Sequence, residues 1–430
     1  MKRNVTPKKI LLSLSGIALA AILFFAGYFT FYLTMSREEK YLLWAARRIE
    51  DGYTVYDEAT GGYKEYTAEE MVKALLAGLP LDRYSAFYSE TEYADVVATS
   101  RGNQFGAGLT FAVGAEDTLI VSVIGNSPAE RAGIEAGGRV AALEYGGARL
   151  ETDTYAALKD ALSRVPANER FALYVSYGGE TARYELRRES FRESYVRYAD
   201  CGTGYLFRGE GLNDPAGAPA EEARMEALGG DTAYISFSSF MYPAADQFAE
   251  AMAFMFQRGK SRLIFDLRGN GGGYMDVFAE VAGRFLPVGE EKALAAVAKP
   301  KKGKETKFYA SGNLYDARLE EIVVLADGGT ASAAECLIGA MLHYGAIGEE
   351  SLVIVRGADG AAHTYGKGIM QTTYTHPLFG GALKLTTAYV YLPDGVTCIH
   401  GRGIFTAAEN EIDPKDGEDP ALLRAIEILR

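Results

Sequence analysis

Three stretches of the chain place glycines and polar side chains at the ends of apolar runs, where open α/β sheets present their ligand-facing turns. The first is Leu263-Ile264-Phe265-Asp266-Leu267-Arg268-Gly269-Asn270-Gly271-Gly272-Gly273. A glycine turn between a strand and a helix brings backbone N–H groups close to an anion. It lacks the Lys-Ser/Thr of a P-loop and the GxGxxG spacing, so the bare pattern names no ligand. The second runs from Ile322 through Asp327-Gly328-Gly329-Thr330-Ala331-Ser332-Ala333-Ala334-Glu335. It reads as a strand, a tight turn and a small-residue helix start that carries Ser332. A serine there caps the helix. Its hydroxyl also sits where the helix dipole and free N–H groups stabilise an oxyanion, as acyl transfer to a hydroxyl requires. The third is Thr364-Tyr365-Gly366-Lys367-Gly368-Ile369-Met370-Gln371. Two glycines leave Lys367 open to close approach, and in an extended chain Lys367 and Gln371 share a face. Taken singly, Lys367 reads as an ordinary surface lysine.

The elements that must position these groups follow from periodicity. From Glu38 to about Val97 the pattern is helical, with Leu42, Leu43, Ala46 and Ile49, then Met71, Leu75, Leu76 and Leu79, at three- and four-residue spacing. Thr67, followed by Glu69 and Glu70, predicts a helix start. Residues 105 to 188 carry short β-rich runs (Leu109–Val113, Leu119–Val123, Phe171–Tyr177, Ala182–Leu186) with helices near Ala129–Ala132 and Tyr155–Ser163. From about Tyr195 to Asn410, β runs alternate with amphipathic helices: Ala233–Phe237, Ala244–Gln257, Leu263–Leu267, Tyr274–Phe285, Ile322–Leu325, Ser332–Leu342 and Leu383–Tyr391. That alternation predicts an α/β domain with a partly parallel sheet. Gly209–Ala220 reads as an exposed loop.

Composition narrows the function. At 430 residues, 48% hydrophobic and 23% charged, the chain is a folded protein of two or three domains. Four basic groups and no acid in the first 35 residues leave −17 on the remainder of a chain whose formal net charge is −13. An acidic body repels phosphate backbones, which excludes nucleic acid as a partner. The lysine run Lys299–Lys304 is interleaved with Gly and Pro, lacks stacking aromatics, and reads as an exposed solvated loop. Cys201, Cys336 and Cys398 are odd in number and widely spaced, so they form no disulfide framework and read as buried single thiols. No CxxC or HxxxH occurs and the four histidines are scattered, so neither a metal nor a cofactor is expected.

Ile10 to Met35 contains no charged side chain. As a helix this run reaches roughly 39 Å, enough to cross a ~30 Å hydrocarbon core. Lys2, Arg3, Lys8 and Lys9 before it and Arg37-Glu38-Glu39-Lys40 after it favour a cytoplasmic N-terminus. The competing reading is a cleaved signal peptide. Apolar residues continuing through Phe24, Phe25, Tyr28, Phe29 and Phe31 favour an uncleaved anchor. The expectation is a single-pass cell-membrane protein with its body outside the cytoplasm.

Taken together, the three segments resemble the S41 family of C-terminal processing peptidases, serine peptidases with a Ser/Lys dyad and an embedded PDZ domain. The matches fall in the family's order: an anchor, a helical lead-in with Leu81-Asp82-Arg83-Tyr84-Ser85, a PDZ-like domain, and Tyr234-Ile235-Ser236-Phe237 with Phe240. The Asp-Leu-Arg-Gly-Asn-Gly-Gly-Gly turn, Thr-Ala-Ser-Ala-Ala-Glu, Gly-Lys-Gly-Ile-Met-Gln, Leu385-Thr386-Thr387-Ala388 and Gly401-Arg402-Gly403-Ile404 follow. The resemblance covers roughly residues 38 to 430. It implies an α/β and α+β multidomain chain: basic tail and transmembrane helix over 1–36, helical lead-in over 37–104, PDZ-like β-rich domain over 105–190, and mixed α/β serine-peptidase domain over 191–430. It makes Ser332 the nucleophile, Lys367 the general base and Gln371 the group that orients the lysine. The N–H groups of Ala333 and Gly272 become the oxyanion hole. A lysine base must give up its proton near neutral pH, about 4 kcal/mol away from an ordinary lysine, and Ile369 and Tyr365 are the apolar neighbours that would supply the burial.

Phe105-Gly106-Ala107-Gly108-Leu109-Thr110-Phe111 resembles the loop whose N–H groups hold a peptide carboxylate beside an added strand. Gly106, Ala107, Gly108, Leu109 and Phe111 are then the peptide-binding residues, and the partners are proteins or peptides with exposed C-terminal tails. The alternative within this domain is a spacer or lid. The sequence departs from the family where Ser332 and Lys367 stand about ten residues further apart, the excess falling around Glu349–Ala362. His343 stands where some members carry Asp, Gly271 replaces a common Pro, Gly138 replaces an Asp, and Phe405-Thr406 replaces Pro-Asp. Two other functions compete with the peptidase: a catalytically silent PDZ scaffold, and a Ser-His-Asp hydrolase using His363 or His400. A scaffold has no need of Lys367 at that spacing from Gln371, and the triad lacks a nucleophile elbow and an oriented Asp.

Overall fold

A computed structural model describes Ala26, Thr30 and residues 32–52, 56–57, 62–63, 66–79, 81–112, 116–200, 203–207, 212–213, 228–286, 292–311, 316–375, 380–415 and 418–430. The chain divides into two compact units, residues 1–89 and 90–430. In the first, helix α1 spans Arg37–Gly52 and α2 spans Ala68–Gly78. Helix α2 starts where the sequence predicts: the Thr67 hydroxyl accepts from Glu70 N–H at 3.2 Å, and the Glu70 carboxylate accepts from Thr67 N–H at 2.8 Å. Each satisfies a donor that the helix end leaves over.

The expected membrane anchor and the single-pass membrane location are corrected here. Among the described residues no helix is long and apolar enough to cross a membrane. Most of the Ile10–Met35 run lies outside the described residues. The helix that follows, α1, opens on Arg37-Glu38-Glu39-Lys40 and carries Arg47 and Arg48. Such a charge density makes a water-facing helix, not a spanning one.

The second unit opens with α3 (Glu90–Ser100), from which β1 (Asn103–Gly106) leads into a small β-rich body. That body contains β2 (Leu109–Thr110), β3 (Ser122–Val123), β4 (Arg139–Tyr145), β5 (Ala148–Glu151), α4 (Tyr155–Ser163), β6 (Arg170–Tyr177) and β7 (Glu180–Arg187). The chain returns through β8 (Glu189–Arg192), which pairs antiparallel with β1 from Glu189↔Gly106 to Arg192↔Asn103. Strands β7-β6-β4-β5 form one antiparallel sheet. Alternate side chains from it (Val140, Leu143, Phe171, Leu173, Val175, Leu186) close a core with Ile120, Ile134 and Leu158. Gly138 owes its identity to this packing, since a β-carbon there would lie 2.6 Å from Tyr177 Cε1.

The remainder is a mixed α/β domain. Its strands are β9 (Val196–Asp200), β10 (Thr203–Phe207), β11 (Leu212–Asn213), β12 (Thr232–Phe237), β13 (Arg262–Asp266), β14 (Leu294–Pro300), β15 (Thr306–Tyr309), β16 (Glu321–Ala326), β17 (Leu352–Val355), β18 (Ile369–Thr375), β19 (Ala382–Tyr391) and β20 (Glu411–Ile412). Its helices are α5 (Tyr242–Gln257), α6 (Met275–Ala282), α7 (Ala333–His343) and α8 (Pro420–Ile428). Eight strands pair in the order β11-β10-β9-β12-β13-β16-β17-β20. The run from β12 to β20 is parallel. A parallel sheet is covered on both faces, so its strands are apolar throughout. Leu263 and Phe265 face the core built with α5, α6 and α7, while Ile264 faces the layer that includes Leu422, Ala425 and Ile426 of α8. A second, antiparallel sheet runs β15-β14-β19-β18.

Candidate active site

The three chemistry-bearing segments meet at the C-terminal ends of β13 and β16. Asp327 follows β16 and its Oδ1 accepts from Gly269 N–H at 2.9 Å, Gly329 N–H at 2.8 Å and Thr330 N–H at 3.0 Å. The buried Thr330 hydroxyl donates to Leu267 O at 2.8 Å, and Ala331 N–H donates to Asn270 O at 2.8 Å. The glycine turn is thus bonded to the turn that precedes Ser332. Behind it, Arg268 bridges Asp266 (Nε to Oδ2, 2.9 Å) and Asp419 at the start of α8 (Nη1 to Oδ1, 2.8 Å). Burial disfavours this cation, but Asp266 and Asp419 outweigh it and hold the guanidinium above its ordinary pKa.

Ser332 precedes the first residue of α7 with φ 59° and ψ −115°. A serine at positive φ holds a conformation that costs about 1–3 kcal/mol and persists only where its surroundings over-determine it. Gly272 packs directly on it: a β-carbon there would lie 2.7 Å from Ser332 Cβ, 2.8 Å from Ala331 O and 2.9 Å from Ala333 N. With φ 94°, Gly272 also occupies backbone space that favours glycine. Its N–H donates to Asn270 Oδ1 at 2.9 Å, and its carbonyl accepts from Phe240 N–H at 2.9 Å. Ala333 opens α7, so its N–H has no acceptor within that helix.

The carboxylate of Glu335, with no solvent exposure, joins Ser332 to Lys367. Its Oε2 accepts from Ser332 N–H at 2.8 Å and from Lys367 N–H at 2.9 Å. Its Oε1 accepts from the Thr364 hydroxyl at 2.6 Å and from Gly366 N–H at 2.7 Å. Sequence reasoning gave Glu335 no role, although the Ser-x-x-Glu spacing of a capping box was there to read. Asn270, Asp327 and Thr330 carry no sequence signal of the bonds they make here.

The glycines beside Lys367 are fixed by close packing. A β-carbon on Gly366 would lie 3.0 Å from Arg402 N, and one on Gly368 would lie 2.5 Å from His400 N. The Lys367 turn therefore rests on Gly401–Gly403, which the Gly401 N–H to Gly366 O bond (2.8 Å) secures. Lys367 itself is half-buried and precedes β18 rather than lying in it. A bulge then shifts the β18–β19 register between Met370 and Gln371. Simple two-residue alternation therefore does not link Lys367 to Gln371. Gln371 is half-buried and donates from Nε2 to Thr386 Oγ1 at 3.0 Å. Of the two apolar neighbours expected for Lys367, Ile369 is buried and Tyr365 is exposed.

Both ring nitrogens of His363 are engaged: Nε2 lies 3.4 Å from Asp359 Oδ2, and Nδ1 lies 2.6 Å from Thr364 O. An acid does stand beside this histidine, contrary to the sequence reading, but neither nitrogen is turned to Ser332. His400 packs edge-on against Tyr389. The lengthened connection before Lys367 contains a helical turn at Glu349–Ser351, β17, and a turn closed by Gly357 N–H to Ala361 O at 2.9 Å. Thr406, which departs from the family pattern, donates to Glu349 O at 3.2 Å and ties this connection down. Burial pushes the Cys336 thiol well above its ordinary pKa, with Glu335 adding to the effect. Cys201 lies outside the described residues.

The Gly106–Phe111 loop has a different construction. Gly108, at φ 83°, presses on Ser127, where a β-carbon would meet Ser127 Cβ at 2.0 Å. Ala107 O and Gly108 O accept from Ala129 N–H and Ile124 N–H, each at 2.9 Å. The N–H groups of Ala107 and Gly108 have no acceptor among the described residues. Leu109 pairs with Val123, and Phe111 packs against Tyr155 at the start of α4 (ring centroids 5.2 Å apart). A cavity of about 1020 Å³ lies elsewhere, among residues including Asp95, Gln104, Asn126, Arg131 and Arg192. It contains none of the three segments.

This mixed α/β domain falls within a known class: residues 231–407 match the profile of Peptidase family S41, and this stretch of the chain is an S41-family domain. Among full-length relatives, the chain is 26% identical over 365 residues to a "Probable CtpA-like serine protease" of Staphylococcus aureus (strain bovine RF122 / ET3-1), covering 83% of this chain and 63% of the relative. A protein of the same description from Staphylococcus saprophyticus is 23% identical over 363 residues, covering 83% and 64%. The chain thus spans about 63% of the length of the Staphylococcus aureus relative. Among solved structures, the photosystem II D1 C-terminal processing protease superposes with a TM-score of 0.48 at 21% identity, over 88% of this chain and 91% of the other. Mature CPAF complexed with lactacystin gives 0.36 at 12% identity, over 80% and 83%.

Proposed function

We propose that the chain is a serine endopeptidase that cleaves protein substrates near their C-termini, with Ser332 as nucleophile and Lys367 as general base. The observation that carries this reading is the shared acceptor: one oxygen of the buried Glu335 binds the backbone N–H of both Ser332 and Lys367. Two residues whose backbones are held on one atom start their side chains from neighbouring points, which supports pairing them. The strained backbone of Ser332 and the tight contact of Gly272 support the same reading.

Ser332 Oγ attacks the scissile carbonyl carbon while its proton passes to the neutral Lys367 amine. The carbonyl oxygen becomes an oxyanion facing Ala333 N–H and Gly272 N–H, the latter turning from Asn270 Oδ1 to the developing charge. One such donor is worth about 3–4 kcal/mol. As the tetrahedral intermediate collapses, Lys367 returns the proton to the leaving amine, and an acyl-serine remains. Water then enters by the same route, with Lys367 again the base. Gln371, whose Nε2 donates to Thr386 Oγ1, keeps the orienting role that the family resemblance gives it. The PDZ-like body over 105–190 takes the substrate's terminal carboxylate on the unoccupied N–H groups of Ala107 and Gly108, with the peptide adding as a strand along β2.

Ser332→Ala and Lys367→Ala are each expected to abolish hydrolysis of peptides with apolar C-terminal tails, with unfolding midpoints unchanged. Near-normal turnover by the lysine variant at neutral pH would end the dyad reading. His363→Ala and His400→Ala are expected to keep most activity.

A further inference from the structure

The lysine run that reads as a solvated loop is the turn of the β14–β15 hairpin, and it belongs to the same sheet as the strand that follows Lys367. Lys299 pairs with Tyr389, and Tyr389 pairs with Ile369, two residues beyond Lys367. This ladder crosses three strands, so Lys299 stands two strand spacings, about 10 Å, from the site strand. Lys299 is anchored, with its amine bonded to Gly395 O at 2.8 Å and 3.4 Å from Glu305. The tip beyond it is not. Lys301, Lys302, Lys304 and Lys307 are exposed and face no carboxylate within ion-pair distance among the described residues. Many of this unit's arginines, by contrast, are paired with acids. A cluster of unpaired cations is costly on its own account, yet here it projects from a chain of net charge −13. Such a local field draws and orients an anionic segment.

Building on the peptidase reading above, we infer that the β14–β15 tip is a substrate subsite that selects an acidic stretch of the polypeptide. Together, the lateral step from Ile369 to Lys299 and the extension to Lys301–Lys304 equal about five to seven extended residues. The acidic residues therefore lie at that separation from the cleaved bond, on one side of it.

The test uses peptides with an apolar scissile region and three glutamates five to seven residues away, on the N-terminal side in one peptide and the C-terminal side in another. Matched peptides carry glutamine at the same positions. Binding to the Ser332→Ala chain reads the subsite independently of turnover, and kcat/KM on the unsubstituted chain reads its effect on cleavage. One glutamate peptide is expected to bind about tenfold tighter than its glutamine match at low salt, narrowing to about twofold in 0.5 M salt. Lys301→Ser with Lys302→Ser and Lys304→Ser should erase that difference and leave the glutamine peptides unaffected. Equal binding of glutamate and glutamine peptides, or a preference that survives the triple substitution, overturns the inference. So does lysine-dependent sedimentation with phosphatidylserine vesicles in the absence of any peptide preference. Loss of Ser332-dependent cleavage for every peptide would instead strike the peptidase reading.

Discussion

The Ser332 site and the Gly106–Phe111 loop both rely on glycine and backbone N–H groups, but they keep those groups in opposite states. Around Ser332 the polar atoms are consumed internally. Asn270, Thr330, Glu335 and Thr364 have no solvent exposure, and their side chains bond backbone groups of the surrounding turns. Around Gly106 the carbonyls are bonded while the N–H groups of Ala107 and Gly108 are left open. Satisfied buried networks give rigidity, and a group left half-satisfied is costly until something binds it. The first construction suits a site whose geometry must exist before the substrate arrives. The second suits one that the ligand completes.

The contrast breaks most severely at Glu335. Glu335→Ala leaves four donors without an acceptor, two of them buried and two partly buried, so it is expected to cost about 3–5 kcal/mol. Reaction of Ser332 with a serine-directed acylating probe should vanish even where the variant stays folded. Urea titration alongside probe labelling checks both, and a stable, fully reactive variant would dissolve the idea that one carboxylate builds the site. The glycines offer a paired test. Gly272→Ala is expected to cut kcat at least 100-fold by moving an oxyanion donor. Gly108→Ala should destabilise by about 2 kcal/mol, through positive φ and the clash with Ser127, yet leave cleavage of an internal, C-terminally blocked peptide within about twofold. Equal losses from both would merge the two sites into one. The smallest effect sharpens the open loop. Amidating a substrate's C-terminus removes charge-assisted bonds worth about 1.5–3 kcal/mol, roughly 10- to 150-fold in affinity. Titration of free-acid against amidated peptides measures it, and equal affinities would leave the body over 105–190 as a spacer.

Much of this arrangement was legible because apolar runs and turn residues are local signals. The predicted helix at Tyr155–Ser163 and strand at Ala233–Phe237 match the observed elements to within a residue or so. Of the predicted Leu109–Val113 strand, Leu109–Thr110 is strand, and Val113 lies outside the described residues. What stayed hidden was tertiary. Glu335 looked like the third residue of a helix, and only its contacts with Thr364, Gly366 and Lys367, some thirty residues on, reveal its role. The bulge ahead of Gln371 depends on the partner strand β19 and leaves no mark in β18's own composition. The anchor expected over Ile10–Met35 rested on hydropathy and flanking charges, and no described helix supports it.

The β1–β8 ribbon has one more consequence. The chain enters the small β-rich body at Asn103 and leaves it at Arg192, and these two residues are paired neighbours. Everything between them is topologically a detour, held to the segment that follows through Gly125 O, which accepts from Ser194 N–H at 3.0 Å, and through Glu130, paired with Arg197 at 2.7 Å. For such a detour, doubling its length adds only about 0.6 kcal/mol of closure entropy. The ribbon therefore works as a socket, and a different module in place of residues 107–188 is expected to fit where it also replaces the Gly125 and Glu130 contacts to Ser194 and Arg197. The strand order that carries Ser332, Glu335 and Lys367 need not change.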